Sequence, residues 1–282
     1  MPSTDCSQAM RYLISACLLL ALAAPSCTFA NDEVLTYRIV GLKNSLLRNA
    51  RAWLGAAPTS TVERLNFLVT AEERVQDSLR ALGYYDADVS LEVNRSEPVW
   101  SVEISVDSGE PVLIRNIAIE LLGAAREDPE FSELLAKSPF KQGDVFNHGD
   151  YEQFKNELLT LGQQRGYFDA RFTESRVEVN VAGQTADILL RYDSGQRFRF
   201  GPLNYGETML DQEMIAALQT FSEGDYFEQS KLQMFQARLQ RTRYFSGVLL
   251  RPEFDQARDY RVPVALTLYP ARRHVFDVGL GY

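Results

Sequence analysis

Gly166-Tyr167-Phe168-Asp169 is the clearest copy of a four-residue joint that the chain uses three times. The first copy is Gly83-Tyr84-Tyr85-Asp86 and the third is Arg243-Tyr244-Phe245-Ser246, so the tyrosines at 84, 167 and 244 stand 83 and 77 residues apart. Each copy follows an amphipathic helical stretch and precedes an alternating, strand-like one. Glycine just past a helix takes the left-handed conformation at little cost, and the aromatic pair is then expected to drop into the core beneath the last turn. Two further echoes share the spacing. Gly143-Asp144-Val145-Phe146 returns as Gly224-Asp225-Tyr226-Phe227 after 81 residues, and Asp107-Ser108-Gly109 returns as Asp193-Ser194-Gly195 after 86. Three landmarks with one period make the chain three copies of a small module in series.

Within each copy the hydrophobic pattern predicts strand, helix, helix, strand, strand. In the first, residues 35–40 alternate as a strand and 44–54 form a helix. A loop holds Pro58-Thr59-Ser60, and a second helix covers 71–82, with Thr70 as its cap and Glu73 closing a capping box. Strands follow at 87–93, where Val89, Leu91 and Val93 alternate with polar residues, and at 99–106. The second copy reads 112–121, 129–137, 149–165, 170–181 and 185–192. The third reads 197–205, 211–218, 229–241, 248–254 and 262–269. Pro263 lacks a ladder donor, so the last strand should start late or lose a bond there. Arg243 in the glycine position costs about 1–2 kcal/mol if the left-handed conformation is kept. The module boundaries fall at 31–110, 111–195 and 196–271, with almost no linker between them, so neighbours should be stiffly coupled. The fold class is α+β: three-stranded sheets, each with two helices on one face.

The first thirty residues stand outside that fold. Arg11 precedes an apolar run at 12–24, and Thr28-Phe29-Ala30 offers small residues for cleavage between Ala30 and Asn31. The run is shorter than the roughly twenty residues a membrane helix needs, so it reads as a cleaved secretory signal. All three cysteines, Cys6, Cys17 and Cys27, lie within it. The exported chain therefore has no thiol chemistry and no disulfide, and its apolar cores must hold it. One Arg and one Asp leave with the signal, so the net charge stays at the −9 of the whole chain. That balance argues against a nucleic-acid binder, which would present a basic face.

Nothing in the pattern points to catalysis. There is no Gly-rich phosphate loop, no nucleophile elbow and no pair of histidines at helical spacing, so the reading is of a non-enzyme without cofactor or metal. His148 and His274 are the two histidines. The first precedes a helix as a cap or loop residue, and the second stands beside Arg272-Arg273 near the end of the chain.

The module order and the joints, behind a secretory leader, resemble the polypeptide-transport-associated (POTRA) domains of the Omp85 outer-membrane family. The resemblance is closest in Ala81-Leu82-Gly83-Tyr84-Tyr85, Gly109-Glu110-Pro111-Val112-Leu113-Ile114, Gly149-Asp150-Tyr151-Glu152-Gln153-Phe154-Lys155 and Gly195-Gln196-Arg197-Phe198-Arg199-Phe200-Gly201. With the count of three, these stretches are similar to the translocation-and-assembly branch of that family. The resemblance implies an outer-membrane β-barrel after the third module, with 272–282 as its start and 275–282 as its truncated first strand. It also implies periplasm-facing modules in a Gram-negative outer membrane. The implied partners are a TamB-like inner-membrane-anchored protein at the first module, unfolded outer-membrane-protein or autotransporter clients, and outer-membrane lipid through the barrel. The strand after each joint is expected at a sheet edge, where a partner strand can add, and Val89, Leu91 and Val93 mark that edge in the first module. Gly83, Tyr84, Tyr85, Gly166, Tyr167, Phe168, Tyr244 and Phe245 are expected to be structural joints, buried as core and cap residues. Another Omp85-type assembly factor, a two-partner secretion pore or a barrel-free periplasmic scaffold would use the same modules.

Overall fold

A computed structural model describes residues 34–206 and 212–271. The leader with Ala30 and Asn31, and the stretch 272–282 with His274, lie outside the described residues. The first module consists of β1 (Leu35–Val40), α1 (Asn44–Leu54), α2 (Thr61–Arg80), β2 (Asp88–Asn94) and β3 (Trp100–Asp107). The second has β4 (Leu113–Leu122), α3 (Pro129–Ala136), α4 (His148–Gln164), β5 (Arg171–Asn180) and β6 (Thr185–Asp193). The third has β7 (Arg199–Tyr205), α5 (Gln212–Leu218), α6 (Gln229–Arg241), β8 (Phe245–Pro252) and β9 (Arg261–Pro270). These are the three tandem α+β modules that the periodicity predicts, and no barrel is present among the described residues.

All three sheets share one strand order, β1-β3-β2, β4-β6-β5 and β7-β9-β8. The last strand of each module is central. It runs parallel to the first and antiparallel to the second. A parallel pair needs a long crossover, and the two helices supply it. Alternation then divides the faces of the central strands. Val102, Ile104 and Val106 of β3, Ala186, Ile188, Leu190 and Tyr192 of β6, and Val262, Val264 and Leu266 of β9 are buried. The long helices answer with stripes at helical spacing: Phe67, Ala71, Val75 and Leu79; Tyr151, Phe154 and Leu158; Leu232, Phe235 and Leu239. Each module closes its own core. With no cysteine among the described residues, burial of such side chains, worth about 1.5–3 kcal/mol each, carries their stability.

One local expectation is corrected and another is met. The second helix of the first module begins ten residues before the predicted start. Its cap is Ser60, whose hydroxyl accepts from the Glu63 amide at 3.2 Å, while the Glu63 carboxylate accepts from the Thr59 amide at 2.8 Å. Thr70 sits mid-helix, its hydroxyl donating back to the Asn66 carbonyl at 2.9 Å. The signature Ser60-Thr61-Val62-Glu63 was in the sequence. The apolar residues Val62, Leu65 and Val69 in the first half of the helix face solvent and hide the helical period. Pro263 lies inside the central strand β9, and the expected loss of a ladder bond falls there. The pairing skips it, passing from Phe200 opposite Val262 to Leu203 opposite Val264, so a bulge in β7 absorbs the missing donor.

The short helix α3 is capped by Asp128, which is 4% exposed. Its carboxylate accepts from the Glu130 amide at 3.2 Å, from Arg165 Nε at 2.7 Å and from the Tyr167 hydroxyl at 3.0 Å. Burial pushes the Asp128 carboxyl up, but the bonds from Arg165, Tyr167 and the Glu130 amide outweigh it and hold it below the ordinary aspartate value.

Two measurements follow from these caps. Ser60→Ala should lower the urea midpoint of the first module by about 1 kcal/mol of stability, and Thr70→Ala by much less. A larger loss from Thr70→Ala would refute the cap assignment. Because the Asp128 value is depressed in the folded chain, its contribution is complete above the unfolded value near ~3.9 and is lost as pH falls through the folded one. The melting temperature of Asp128→Asn should therefore fall less steeply below about pH 4 than that of the parent. At neutral pH this variant should be less stable by about 1–3 kcal/mol.

Candidate functional site

The joints come first, because they set where each sheet edge points. Helix α2 ends at Gly83 with φ 92° and α4 at Gly166 with φ 85°. The next amide closes the end in both: Tyr84 donates to the Leu79 carbonyl at 3.0 Å, and Tyr167 to the Gly162 carbonyl at 2.8 Å. The glycine carbonyls then accept from the following module, from the Val112 amide at 2.8 Å and the Phe198 amide at 2.8 Å. A Cβ on Gly83 would overlap the Phe146 carbonyl oxygen, and one on Gly166 would lie 2.8 Å from Phe227 Cβ. The joint glycine is therefore a contact between modules as well as a helix stop.

The aromatic pair splits across that contact, which corrects the expectation that both rings fill the core under the helix. Tyr84 packs on the first core and Tyr167 is buried in the second. Tyr85 leans on the second core, its hydroxyl 2.7 Å from His148 Nε2, and Phe168 enters the third. Phe168 meets Phe198, Phe227 and Phe254 at ring distances of 5.3, 4.9 and 4.6 Å. Adjacent residues past a helix end point opposite ways, so one ring serves each module. His148 is the first residue of α4, and burial lowers its basicity, partly offset by Glu152. The Tyr167 hydroxyl is pushed far up by burial and by Asp128.

The second echo forms the receiving half of the same joint. Gly143-Asp144-Val145-Phe146 lies along the start of β4: the Ile114 amide donates to Asp144, the Gly143 amide to Ile114 and the Phe146 amide to Val112, at 2.8, 2.8 and 2.9 Å. Gly224-Asp225-Tyr226-Phe227 repeats the pattern on β7 at Phe200 and Phe198. The third joint differs. Arg243 keeps a left-handed φ of 60°, Tyr244 is 58% exposed, and Phe245 packs in its own module's core. The carbonyl of Tyr244 accepts from the Ala271 amide at 2.9 Å as the chain leaves β9.

The strands after the joints, β2, β5 and β8, are sheet edges, as are the first strands β1, β4 and β7. The echo segments cover the beginnings of β4 and β7. On β8 the Gln236 side chain donates to the Val248 carbonyl at 3.0 Å, so its own helix uses part of its bonding capacity. On β2, Val89 is buried and Leu91 and Val93 are half-buried against the first core. Those three side chains hold the strand in place; Asp88, Ser90, Glu92 and Asn94 face solvent. The solvent face of the second sheet carries charges instead, with Arg115 paired to Asp187 and Arg191 to Glu120 and Glu174. An edge of this kind offers backbone donors and acceptors to an extended segment, with little side-chain selectivity. Among the described residues no group of three or more His, Cys, Asp or Glu is placed to hold a metal, and no helix is long and apolar enough to cross a membrane.

Residues 36–108 match the family model described as "POTRA domain TamA domain 1", and residues 118–195 match the POTRA model described as "Surface antigen variable number repeat". Among solved structures, the chain is similar to BamA POTRA3-5 of Haemophilus influenzae at 20% identity. The match covers 83% of this chain and 94% of that one, with a TM-score of 0.46. The N-terminal domain of Omp85 from the thermophilic cyanobacterium Thermosynechococcus elongatus matches at 16% identity, over 84% and 96% of the two chains, with a TM-score of 0.33. CdiB from Escherichia coli matches at 15% identity, over 74% of this chain and 34% of that one, with a TM-score of 0.33. The assignment rests on the two sequence matches and the strand order rather than on these overlays. Residues 36–108 and 118–195 are POTRA domains in series, and a third module of the same topology follows them.

Proposed function

We propose that this chain is the periplasmic part of a TamA-like, Omp85-type outer-membrane protein that holds client or partner strands by edge pairing and delivers them to a membrane barrel. The observation that carries the reading is the match of the first module to the TamA first-domain model, at the end of the array farthest from a barrel placed after the third. In this reading the first module meets a TamB-like inner-membrane-anchored protein, and its open β2 edge is the docking strand. Unfolded outer-membrane proteins, autotransporters among them, would add along the same kind of edge. No nucleotide or metal enters the mechanism: backbone hydrogen bonds supply affinity, and release follows from their modest net worth, about 1 kcal/mol each. A signal cleaved between Ala30 and Asn31 would carry the modules to the periplasm. The general POTRA model matched by the second module also suits another Omp85-type assembly or secretion protein, which would share the edges and differ in partner.

Photo-crosslinking tests the edge. A photoreactive residue at Ser90 or Glu92, on the solvent side of β2, should trap an unfolded outer-membrane protein or a TamB-like protein in intact cells. The same residue at Glu72, on the exposed face of α2, should not. Equal capture at all three positions, or none at Ser90 and Glu92, would sink the edge-pairing mechanism. Copurification of an inner-membrane-anchored protein separates the TamA-like reading from other Omp85 proteins. Fractionation with an antibody against the modules, boiled and unboiled, tests whether a heat-modifiable barrel travels with them.

A further inference from the structure

The two junctions between modules are built alike in backbone and differently in side chains. At the second junction Arg197, just after the Ser194-Gly195-Gln196 seam, ties three elements together. Its Nε donates to the Arg165 carbonyl at 2.8 Å, at the end of α4. Its Nη1 lies 3.5 Å from Asp128 Oδ2, at the cap of α3, and its Nη2 lies 3.6 Å from Glu228 Oε1, at the start of α6. The guanidinium also stands 5.7 Å from the Tyr167 ring and 4.6 Å from the Tyr226 ring. Its side chain is 12% exposed, and Nη2 has no hydrogen bond of its own. A guanidinium hydrogen-bonded at one point and held between carboxylates of both modules at two others restricts rotation of one module against the other. Asp128 and Arg165 belong to the second module and Glu228 to the third, so the tie spans the junction.

The first junction lacks every member of that set. Counted from the seam glycines Gly109 and Gly195, Pro111 stands where Arg197 stands. Counted from the receiving phenylalanines Phe146 and Phe227, Asn147 stands in place of Glu228. The cap of the first helix is Lys43 where the second module has Asp128. Among the described residues no ion pair crosses this junction. Beyond the backbone bonds at Gly83 and from the His148 amide to the Ala81 carbonyl, and the packing of Tyr85 on the second core, the one side-chain hydrogen bond across it among the described residues joins Tyr85 and His148.

We infer that Arg197 is a positioning residue that locks the second and third modules into one rigid body, leaving the junction between the first and second as the place where the array bends. The inference does not depend on which partner binds. It makes the first module a swinging arm on a fixed base.

Electron-electron spin distances test it on the full chain, produced with its own leader and with Cys6, Cys17 and Cys27 changed to serine so that only added thiols are labelled. Labels at Glu72→Cys, Ala182→Cys and Gln240→Cys, exposed positions one to a module, report each junction in pairs. The 182–240 distribution should be a single peak at most half as wide as the 72–182 distribution. Arg197→Met should widen the 182–240 peak about twofold and leave 72–182 unchanged. Arg197→Lys, which keeps the charge and loses the fork, should fail to restore the narrow peak. Glu228→Gln provides a milder variant should Arg197→Met not fold, and should broaden the same peak in part. Equal widths in the parent chain would overturn the inference. So would an unaltered 182–240 peak in a folded Arg197→Met or, failing that, in Glu228→Gln.

Discussion

At Gly83 and Gly166 the backbone of one module touches the backbone of the next with no side chain between them. The rest of the structure hangs on that approach. The glycine carbonyl takes an amide from the incoming strand, which fixes where the next sheet begins. Past that contact the flanking aromatics are divided, one to each core, because adjacent residues point opposite ways. A helix stop, an inter-module bond and an aromatic plug are thus one local solution, and the chain uses it twice.

The receiving half explains why the Gly-Asp-x-Phe echo travels with the joint. It covers the start of the following module's first strand with three backbone bonds and presents the phenylalanine that the glycine approaches; at the second joint the Phe168 ring meets it too. That cover uses part of one sheet edge. The opposite edge, the strand after the joint, is left for other company. Its inward side chains are the alternating apolar residues that anchor it, so what it can offer a partner is backbone. Under the proposed function, such an edge would give loose sequence preference for extended segments.

Charge is spent unequally along the array. On the solvent face of the second sheet, arginine–carboxylate pairs lie in the open, where each is worth little. The same residue types at the second junction are withdrawn from water, where an unpaired carboxylate or guanidinium would be expensive and the pairing must be kept. Asp128 is held by a helix amide, a phenol and a guanidinium, and Arg197 by a carbonyl and two carboxylates. The first junction has only a neutral tyrosine–histidine bond in the corresponding place.

The sequence by itself determined the module count, the element order, the α+β class and the strand that follows each joint, because these rest on local periodicity and on glycine at helix ends. Residues such as Val75, Leu79, Phe154 and Leu158 declare their faces through spacing alone. The start of α2 was legible in Ser60 and Glu63 but obscured by Val62, Leu65 and Val69, which face solvent against the usual pattern. Only the tertiary structure decided that Tyr85 and Phe168 belong to the neighbouring module, that Asp128, Arg165, Arg197 and Glu228 converge, and that a β7 bulge accommodates Pro263. These depend on residues tens of positions apart meeting across a junction, and no periodicity within one module carries that information.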